Sequence, residues 1–179
     1  MFRSTIRRHP WLAVLAALAL FVAASLPVVT YAIVPALVRS TLVEDLPVPI
    51  ATSAPVAVPG QTVASTQSAA VAVETLLTGQ LVRINAADYG SGTVRIVRIG
   101  ADRIVRFDGV DIAGAPDMYV YLSDQSDGKP GTFVDLGKLK ATNGSFNYPI
   151  PATVDLATVH SVVVWCRQFT VTITFAELR

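Results

Sequence analysis

The segment Ser161-Val-Val-Val-Trp-Cys-Arg-Gln-Phe-Thr-Val-Thr-Ile-Thr-Phe175 carries the clearest strand pattern of the chain. In its second half, apolar residues alternate with threonines from Phe169 to Phe175, which predicts a half-buried β-strand. The apolar run before it, 161–166, predicts another strand and contains Cys166, the only cysteine of the protein. A sole thiol has no intramolecular disulfide partner, so burial, reactivity and ligation are its three alternatives.

The side to which Cys166 points depends on the register at Arg167-Gln168. Continuous alternation places Cys166 on the threonine side and makes it accessible, whereas a one-residue bulge places it on the Phe169 side and buries it. The sequence leaves both alternatives open.

The rest of the C-terminal region repeats short strand-like segments between turns. Thr93–Ile99 and Arg103–Phe107 flank Gly100-Ala-Asp102, which predicts a hairpin. Met118–Ser123 alternates tyrosines with Met118, Val120 and Leu122, which predicts a strand with two different faces. Turn residues recur at spacings typical of sandwiches. We therefore expect an all-β domain over 77–179, an antiparallel β-sandwich or a jelly-roll-like fold.

The N-terminal third predicts a membrane anchor. No charged residue occurs from Pro10 to Val38, and a bilayer requires about 20 apolar residues. Three arginines precede this stretch and only Arg39 follows closely, so the positive-inside rule places residues 1–10 in the cytoplasm. We expect a single-pass signal-anchor helix over 11–38 in contact with membrane lipid, which places the C-terminal domain outside the cell; cleavage of the segment stays open.

The segment 39–76 has the composition of a linker. From Leu46 to Val73 it carries no charge and four prolines, together with many alanine, serine and threonine residues. Such a chain favours an extended stalk between anchor and domain. A first strand within 61–78 is the alternative.

The charged residues of the domain argue against nucleic-acid binding and do not support a calcium site. From Gly79 onward the chain has ten Lys/Arg and ten Asp/Glu residues, so it lacks the basic excess that nucleic-acid binding requires. The aspartates of the turns do not have EF-hand spacing, since position six counted from Asp124 is Lys129. We expect no metal site and no nucleic-acid partner.

The redox candidates are few. Cys166, Met118 and His160 are the residues of the domain that can ligate haem iron, and the sequence has no motif for covalent haem attachment. Non-covalent haem therefore remains one alternative. His160 lies about 20 Å from Cys166 along a straight strand, too far to act as its base. An inert core thiol is the other alternative, since free cysteine is among the most buried residue types.

Several ordered motifs resemble the DM-thirteen domain family over about 77–178. The matching segments are Gly114-Ala-Pro-Asp-Met-Tyr-Val-Tyr-Leu-Ser123, Leu136-Gly-Lys-Leu-Lys140, Asn143-Gly-Ser-Phe-Asn-Tyr-Pro-Ile-Pro151 and Ser161-Val-Val-Val-Trp-Cys-Arg-Gln-Phe169.

The resemblance implies a compact extracytoplasmic β-domain that serves electron transfer through its hallmark cysteine, here Cys166. In animal relatives such a domain accompanies a haem-binding DOMON domain, which this chain lacks. The family often has a histidine before the Ser-Gly of the first hairpin, where this chain has Tyr89.

Two functions follow as hypotheses. The first is a membrane-anchored redox module that acts through Cys166 with an unidentified redox or protein partner, and not as a stand-alone enzyme. The second is a non-catalytic binding or adhesion module whose cysteine is structural and buried.

Overall fold

The computed structural model describes residues 10–28, 39–47 and 72–179. Within these ranges the chain forms one α-helix, nine strands and one short 3₁₀ helix. Their bounds are α1 Pro10–Val28, β1 Thr41–Val43, β2 Val73–Gln80, β3 Gly90–Ile99, β4 Asp102–Ile112, β5 Met118–Ser123, β6 Phe133–Lys138, β7 Asn143–Ile150, the 3₁₀ helix Leu156–Thr158, β8 Ser161–Cys166 and β9 Val171–Glu177.

The two clearest local predictions are confirmed. β3 and β4 pair antiparallel on either side of Gly100, whose φ of 61° lies in the left-handed region that glycine adopts without steric cost. β5 has the predicted bounds, Met118–Ser123.

The strands form two sheets that make the domain all-β, as predicted. The larger sheet has the order β1-β7-β4-β3-β2 and the smaller one β6-β5-β8-β9. All pairs are antiparallel except β1 with β7, which is parallel. The sheets enclose one main core, in which Phe107 stacks on Phe146 with ring centroids 5.0 Å apart and Tyr148 meets both rings edge-on. The β-sandwich is thus confirmed, with one parallel pair at its edge.

The predicted transmembrane helix over 11–38 is not supported. The helix α1 has 19 residues and ends at Val28, directly after Pro27, which cannot donate a backbone hydrogen bond. Among the described residues, no helix combines the length and the apolarity needed to cross a membrane. Residues 1–9 and 29–38 lie outside the described ranges.

Part of the predicted linker belongs to the sandwich. Residues 48–71 lie outside the described ranges, but Thr41–Val43 is the edge strand β1, and β2 begins at Val73. The charges of the segment explain its position: Arg39 forms an ion pair with Asp111, and Glu44 forms one with Lys140. The uncharged, proline-rich composition typical of a linker begins only after these residues.

The register between Cys166 and Phe169 follows neither of the two alternatives. The chain reverses over 167–170, so 161–166 and 171–177 are two strands of a hairpin. A bulge in β9 makes Ile173 the extra residue between Thr172 and Thr174. It turns Thr174 inward, where its hydroxyl donates to the Val82 carbonyl at 2.8 Å. A strand is confirmed at Val171–Glu177, but Phe169 and Val171 are exposed, and Ile173 is the only residue of the predicted apolar face that is buried.

Candidate functional site at Cys166

Cys166 ends β8 and is fully buried, with 0% of its surface exposed. Its side chain belongs to the main core together with Val162 and Val164, which lie on the same face of β8. Sγ donates to the carbonyl oxygen of Pro116 at 2.9 Å. The thiol is therefore satisfied as a donor and shielded from solvent, which is the outcome that the bulged alternative predicted by another route.

The loop that covers Cys166 comprises residues 114–117 of the connection between β4 and β5. Two hydrogen bonds join it to the end of β8 and the turn that follows. The Cys166 thiol donates to the Pro116 carbonyl, and the Arg167 backbone N–H donates to the Asp117 carbonyl at 3.1 Å. Asp117 has a φ of 54°, which an L-residue adopts at a cost of roughly 1–2 kcal/mol. Local contacts thus hold the loop closed over the thiol.

Arg167 points to the opposite, outer face of the smaller sheet. Its guanidinium lies 3.4 Å from the ring centroid of Tyr119, its Nε donates to the Tyr121 hydroxyl at 2.7 Å, and it forms an ion pair with Asp135. The hydrogen bond with Tyr121 raises the pKa of Arg167 above its ordinary value. Arg167 is consequently an anchor for the turn after Cys166 and not a cation beside the sulfur.

A cleft of about 340 Å³ borders the same loop. One wall is the chain from Ala113 to Pro116, and the other is formed by Phe169, Val171 and Ile173 of the β8–β9 hairpin. Tyr89 and Asp88 supply the polar end. Cys166 does not line this cleft, but Pro116, the acceptor of its thiol proton, does. A movement of the loop that widens the cleft would bring solvent toward the thiol.

Tyr89, at the position where the family resemblance implies a histidine, contacts two arginines. Arg83 lies 4.6 Å above the ring centroid, and Arg39 donates to the hydroxyl at 3.4 Å. Tyr89 contributes a phenol to the cleft where a histidine would contribute an imidazole.

The structure brings together two of the three predicted ligand residues. Met118 is the cross-strand partner of Cys166, whereas His160 lies exposed at the other end of β8, where its backbone N–H donates to Ser123. Along β8 this separation is about 20 Å. Haem does not fit this arrangement, because the thiol donates to Pro116 inside the packed core and His160 faces solvent far away.

Asp108 and Asp111 lie within β4, Asp124 and Asp127 lie in the loop after β5, and each has a partner of its own. Asp108 pairs with Arg95 and Arg106, Asp111 pairs with Arg39, and Asp124 and Asp127 accept backbone N–H groups of their own loop. Within the described ranges, no three metal-ligating side chains cluster.

Reasoning from the sequence missed two sets of contacts: the bond from the Cys166 thiol to the Pro116 carbonyl, and the side-chain contacts of Arg167. The loop carbonyl of Pro116 carries no side-chain signal, and the partners of Arg167 come from β5 and β6, distant in sequence. The alternation of Tyr119 and Tyr121 places both phenol rings on one face of β5, and it was the one sequence signal for the site that binds the Arg167 side chain.

The fold and the site together define a β-sandwich domain with a single buried thiol at the end of its penultimate strand. The chain belongs to the family described as Electron transfer DM13, which it matches over residues 83–178, more than half of its length. The predicted family is thereby confirmed. No curated protein and no solved structure matches the chain.

Proposed function

We propose that this chain is an electron-transfer domain whose redox-active group is the thiol of Cys166, which becomes reactive when the 114–117 loop opens. Membership of the electron-transfer family supports the redox role. The single observation that carries the finer assignment is the bond from Sγ to the Pro116 carbonyl, because it ties the only thiol to the wall of a cleft.

The proposed chemistry is thiol–disulfide exchange with a disulfide-bearing partner. The Cys166 sulfur gives up its proton to solvent and attacks the partner disulfide, forming a new S–S bond. The partner's own S–S bond breaks and one partner thiolate leaves. Cys166 is oxidised in this step and the leaving sulfur is reduced, so a second thiol from the partner or from a solute is needed to regenerate Cys166.

The test uses the purified full chain with oxidised glutathione as the disulfide probe. We expect the native chain to form a mixed disulfide at Cys166, slowly compared with the urea-unfolded chain and without global unfolding, as seen by mass spectrometry and circular dichroism. The variant Cys166→Ala is the control. If Cys166 reacts only as fast as the chain unfolds globally, the redox assignment fails.

A second candidate function is a binding module in which the cysteine is a core residue. The complete burial of Cys166 among apolar side chains favours it, since thiols buried in apolar surroundings are inert. An absence of native-state exchange, together with unchanged partner binding by Cys166→Ala, would support this function. An absorption spectrum of the purified chain tests the haem alternative independently.

The location outside the cytoplasm stays a prediction from the sequence. It rests on the extracytoplasmic location that the family resemblance implies and not on the positive-inside rule, because that rule orients a spanning helix and none is found among the described residues. Protease treatment of intact cells tests it, because an external domain is digested and an internal one is protected.

A further inference from the structure

The cleft beside the 114–117 loop has two apolar walls. One wall is the chain over residues 113–116, whose side chains are small, and the other consists of Phe169, Val171 and Ile173. Phe169 and Val171 are 48% and 39% exposed, although both side chains are large and apolar. Single exposed apolar residues are common on protein surfaces, but these two line one concave space of about 340 Å³. The cleft therefore has the shape and the lining of a site for an apolar group.

The polar end of the cleft already has partners within the domain. The Asp88 carboxylate accepts from Asn85 Nδ2 at 2.8 Å. The guanidinium of Arg83 lies 4.6 Å from the ring centroid of Tyr89. Because both polar side chains of the cleft are engaged in this way, the cleft offers a ligand mainly apolar surface.

Both walls of the cleft contain a residue that contacts Cys166 or pairs with it. Pro116 lines the cleft, and its carbonyl oxygen accepts from the Cys166 Sγ at 2.9 Å. On the other wall, Val171 is the cross-strand partner of Cys166 in the β8–β9 hairpin. A group bound in the cleft thus lies against the two residues that enclose the thiol.

Occupation of the cleft is coupled to access to the thiol. A movement of the 114–117 loop away from Cys166 widens the cleft and frees the sulfur from Pro116. A ligand shifts a conformational equilibrium by its difference in affinity for the two states. An apolar group that fits the widened cleft covers Phe169 and Val171, and removal of their apolar surface from water favours the open loop.

We propose that this cleft selects the substrate of the thiol, which is a disulfide that carries an apolar side chain beside its sulfur. This inference rests on the proposed thiol–disulfide exchange and adds the class of disulfide to it. The apolar side chain enters between Phe169 and the 113–116 wall, and Phe169 and Val171 determine specificity without taking part in bond changes.

The step itself is an exchange in which atoms and electrons balance. The Cys166 sulfur releases its proton to solvent and bonds to the near sulfur of the substrate, while the S–S bond of the substrate breaks. The far half leaves as a thiolate and takes up a proton. Cys166 is oxidised, and the leaving half is reduced.

The test compares two neutral probes that differ in one group, the disulfides of N-acetylcysteine phenethylamide and of N-acetylcysteine hydroxyethylamide. Each is added to the purified full chain under native conditions, and the mixed disulfide at Cys166 is followed by mass spectrometry. Each rate is divided by the rate for the urea-unfolded chain, which removes the intrinsic reactivity of the probe. We expect the phenyl probe to react faster than the hydroxyl probe by on the order of tenfold.

Phe133→Ser is the matched control for Phe169→Ser, because Phe133 is 44% exposed and lines a different cleft. Phe169→Ser should lower the ratio of the two rates toward one, whereas Phe133→Ser should keep it. If Phe169→Ser alters the turn or the fold, Val171→Thr keeps the shape of the side chain and must also lower the ratio. A ratio near one in the unchanged chain, or an equal ratio in all variants, overturns the inference and leaves the redox function standing.

Binding without exchange separates this inference from the proposed function. In Cys166→Ala no exchange can occur, and we expect the phenyl probe to shift the NMR signals of the Ala115 and Val171 amides, whereas the hydroxyl probe leaves them in place. If these shifts are absent, the cleft is not the binding site, even where Cys166 reacts with oxidised glutathione. If the shifts appear but native Cys166 reacts with neither probe faster than the chain unfolds, the redox function is wrong, and the selection of a disulfide is wrong with it.

Discussion

At the scale of single residues, Cys166 and Arg167 divide the candidate site between the two faces of one sheet. The thiol lies in the core and donates to Pro116, whereas the guanidinium lies on the outer face against Tyr119. Both neighbours hold the same loop, Arg167 through its backbone N–H to Asp117. The loop that covers the thiol is therefore also bonded to a residue whose side chain lies on the opposite face of the sheet.

Arg167→Ala is expected to speed native-state labelling of Cys166 by a maleimide. The change removes the stacking on Tyr119 and the ion pair with Asp135 that fix the turn, and we expect an increase on the order of tenfold. The labelling rate is measured by mass spectrometry under native conditions, alongside the urea midpoint.

The matched control for this prediction is Arg103→Ala, which removes an arginine that holds the 151–154 loop instead. It should lower the urea midpoint, but it should not speed the labelling of Cys166 beyond what that loss of stability alone causes. Equal acceleration by both variants would mean that labelling follows global unfolding and that Arg167 holds nothing locally.

Thr170→Gly is expected to stabilise the protein. Thr170 has a φ of 52°, a conformation that is costly for a β-branched residue and free for glycine. We expect a gain of about 0.5–1 kcal/mol in the free energy of unfolding, measured by urea denaturation. Thr172→Gly, within β9, should lose stability; a loss in Thr170→Gly would show that its hydroxyl matters more than its backbone.

At the scale of elements, local patterns predicted strands well and their long-range environment poorly. The β3–β4 hairpin and β5 follow from turn residues and alternation, which are properties of neighbouring residues. The burial of Cys166 depends on a turn at 167–170 and on the covering loop. No local pattern specifies the loop, so the sequence left the thiol's exposure open.

The segment 39–47, the strap, contains β1, which local sequence patterns also failed to predict. Three residues are too few for a periodic signal, and the composition after Leu46 favours a linker. What places β1 on β7 is the charge of Glu44 and the absence of a side chain at Gly144, two features distant in sequence. Only the folded chain reveals that they are complementary.

Gly144→Ala and Gly137→Ala form a pair that isolates the docking of β1. Both glycines have a positive φ, 109° and 105°, so both variants bear a similar backbone cost of about 1 kcal/mol. Only at Gly144 would the new methyl group meet the Leu42 carbonyl, whereas at Gly137 nothing lies within 4 Å.

We therefore expect Gly144→Ala to lose roughly 1–3 kcal/mol more than Gly137→Ala and to accelerate exchange at the Asn143 amide. Calorimetric melting and hydrogen exchange measure the two effects. Equal losses in the two variants would indicate that β7 relaxes around the methyl group and that the strap does not depend on close approach.

At the scale of the whole molecule, the site and the strap lie on different sheets and use different chemistry. Cys166 belongs to the smaller sheet and depends on packing under a loop. The strap belongs to the larger sheet and depends on charge. A substitution at Glu44 should therefore leave the Cys166 site unchanged.

The stability of the folded chain is expected to fall with acid through Glu44. Burial raises the pKa of Glu44, but hydrogen bonds from Lys140 and Asn147 and the charges of Lys140 and Arg106 outweigh it, so the net pKa lies below its ordinary value. A carboxyl with a depressed folded-state pKa contributes its full stability above its unfolded pKa of about 4.3 and loses it as pH falls through the folded pKa.

Melting temperatures of the unchanged chain and of Glu44→Gln, measured from pH 7 to pH 3, test this expectation. The unchanged chain should be the more stable at neutral pH, by on the order of a few degrees, and the difference should disappear below pH 4. Asp45, Asp108 and Tyr148, which lie near Glu44 or its cations, are present in both proteins, so the two proteins differ only at residue 44. A difference that persists unchanged to pH 3 would mean that the shape of Glu44, and not its charge, holds the strap on β7.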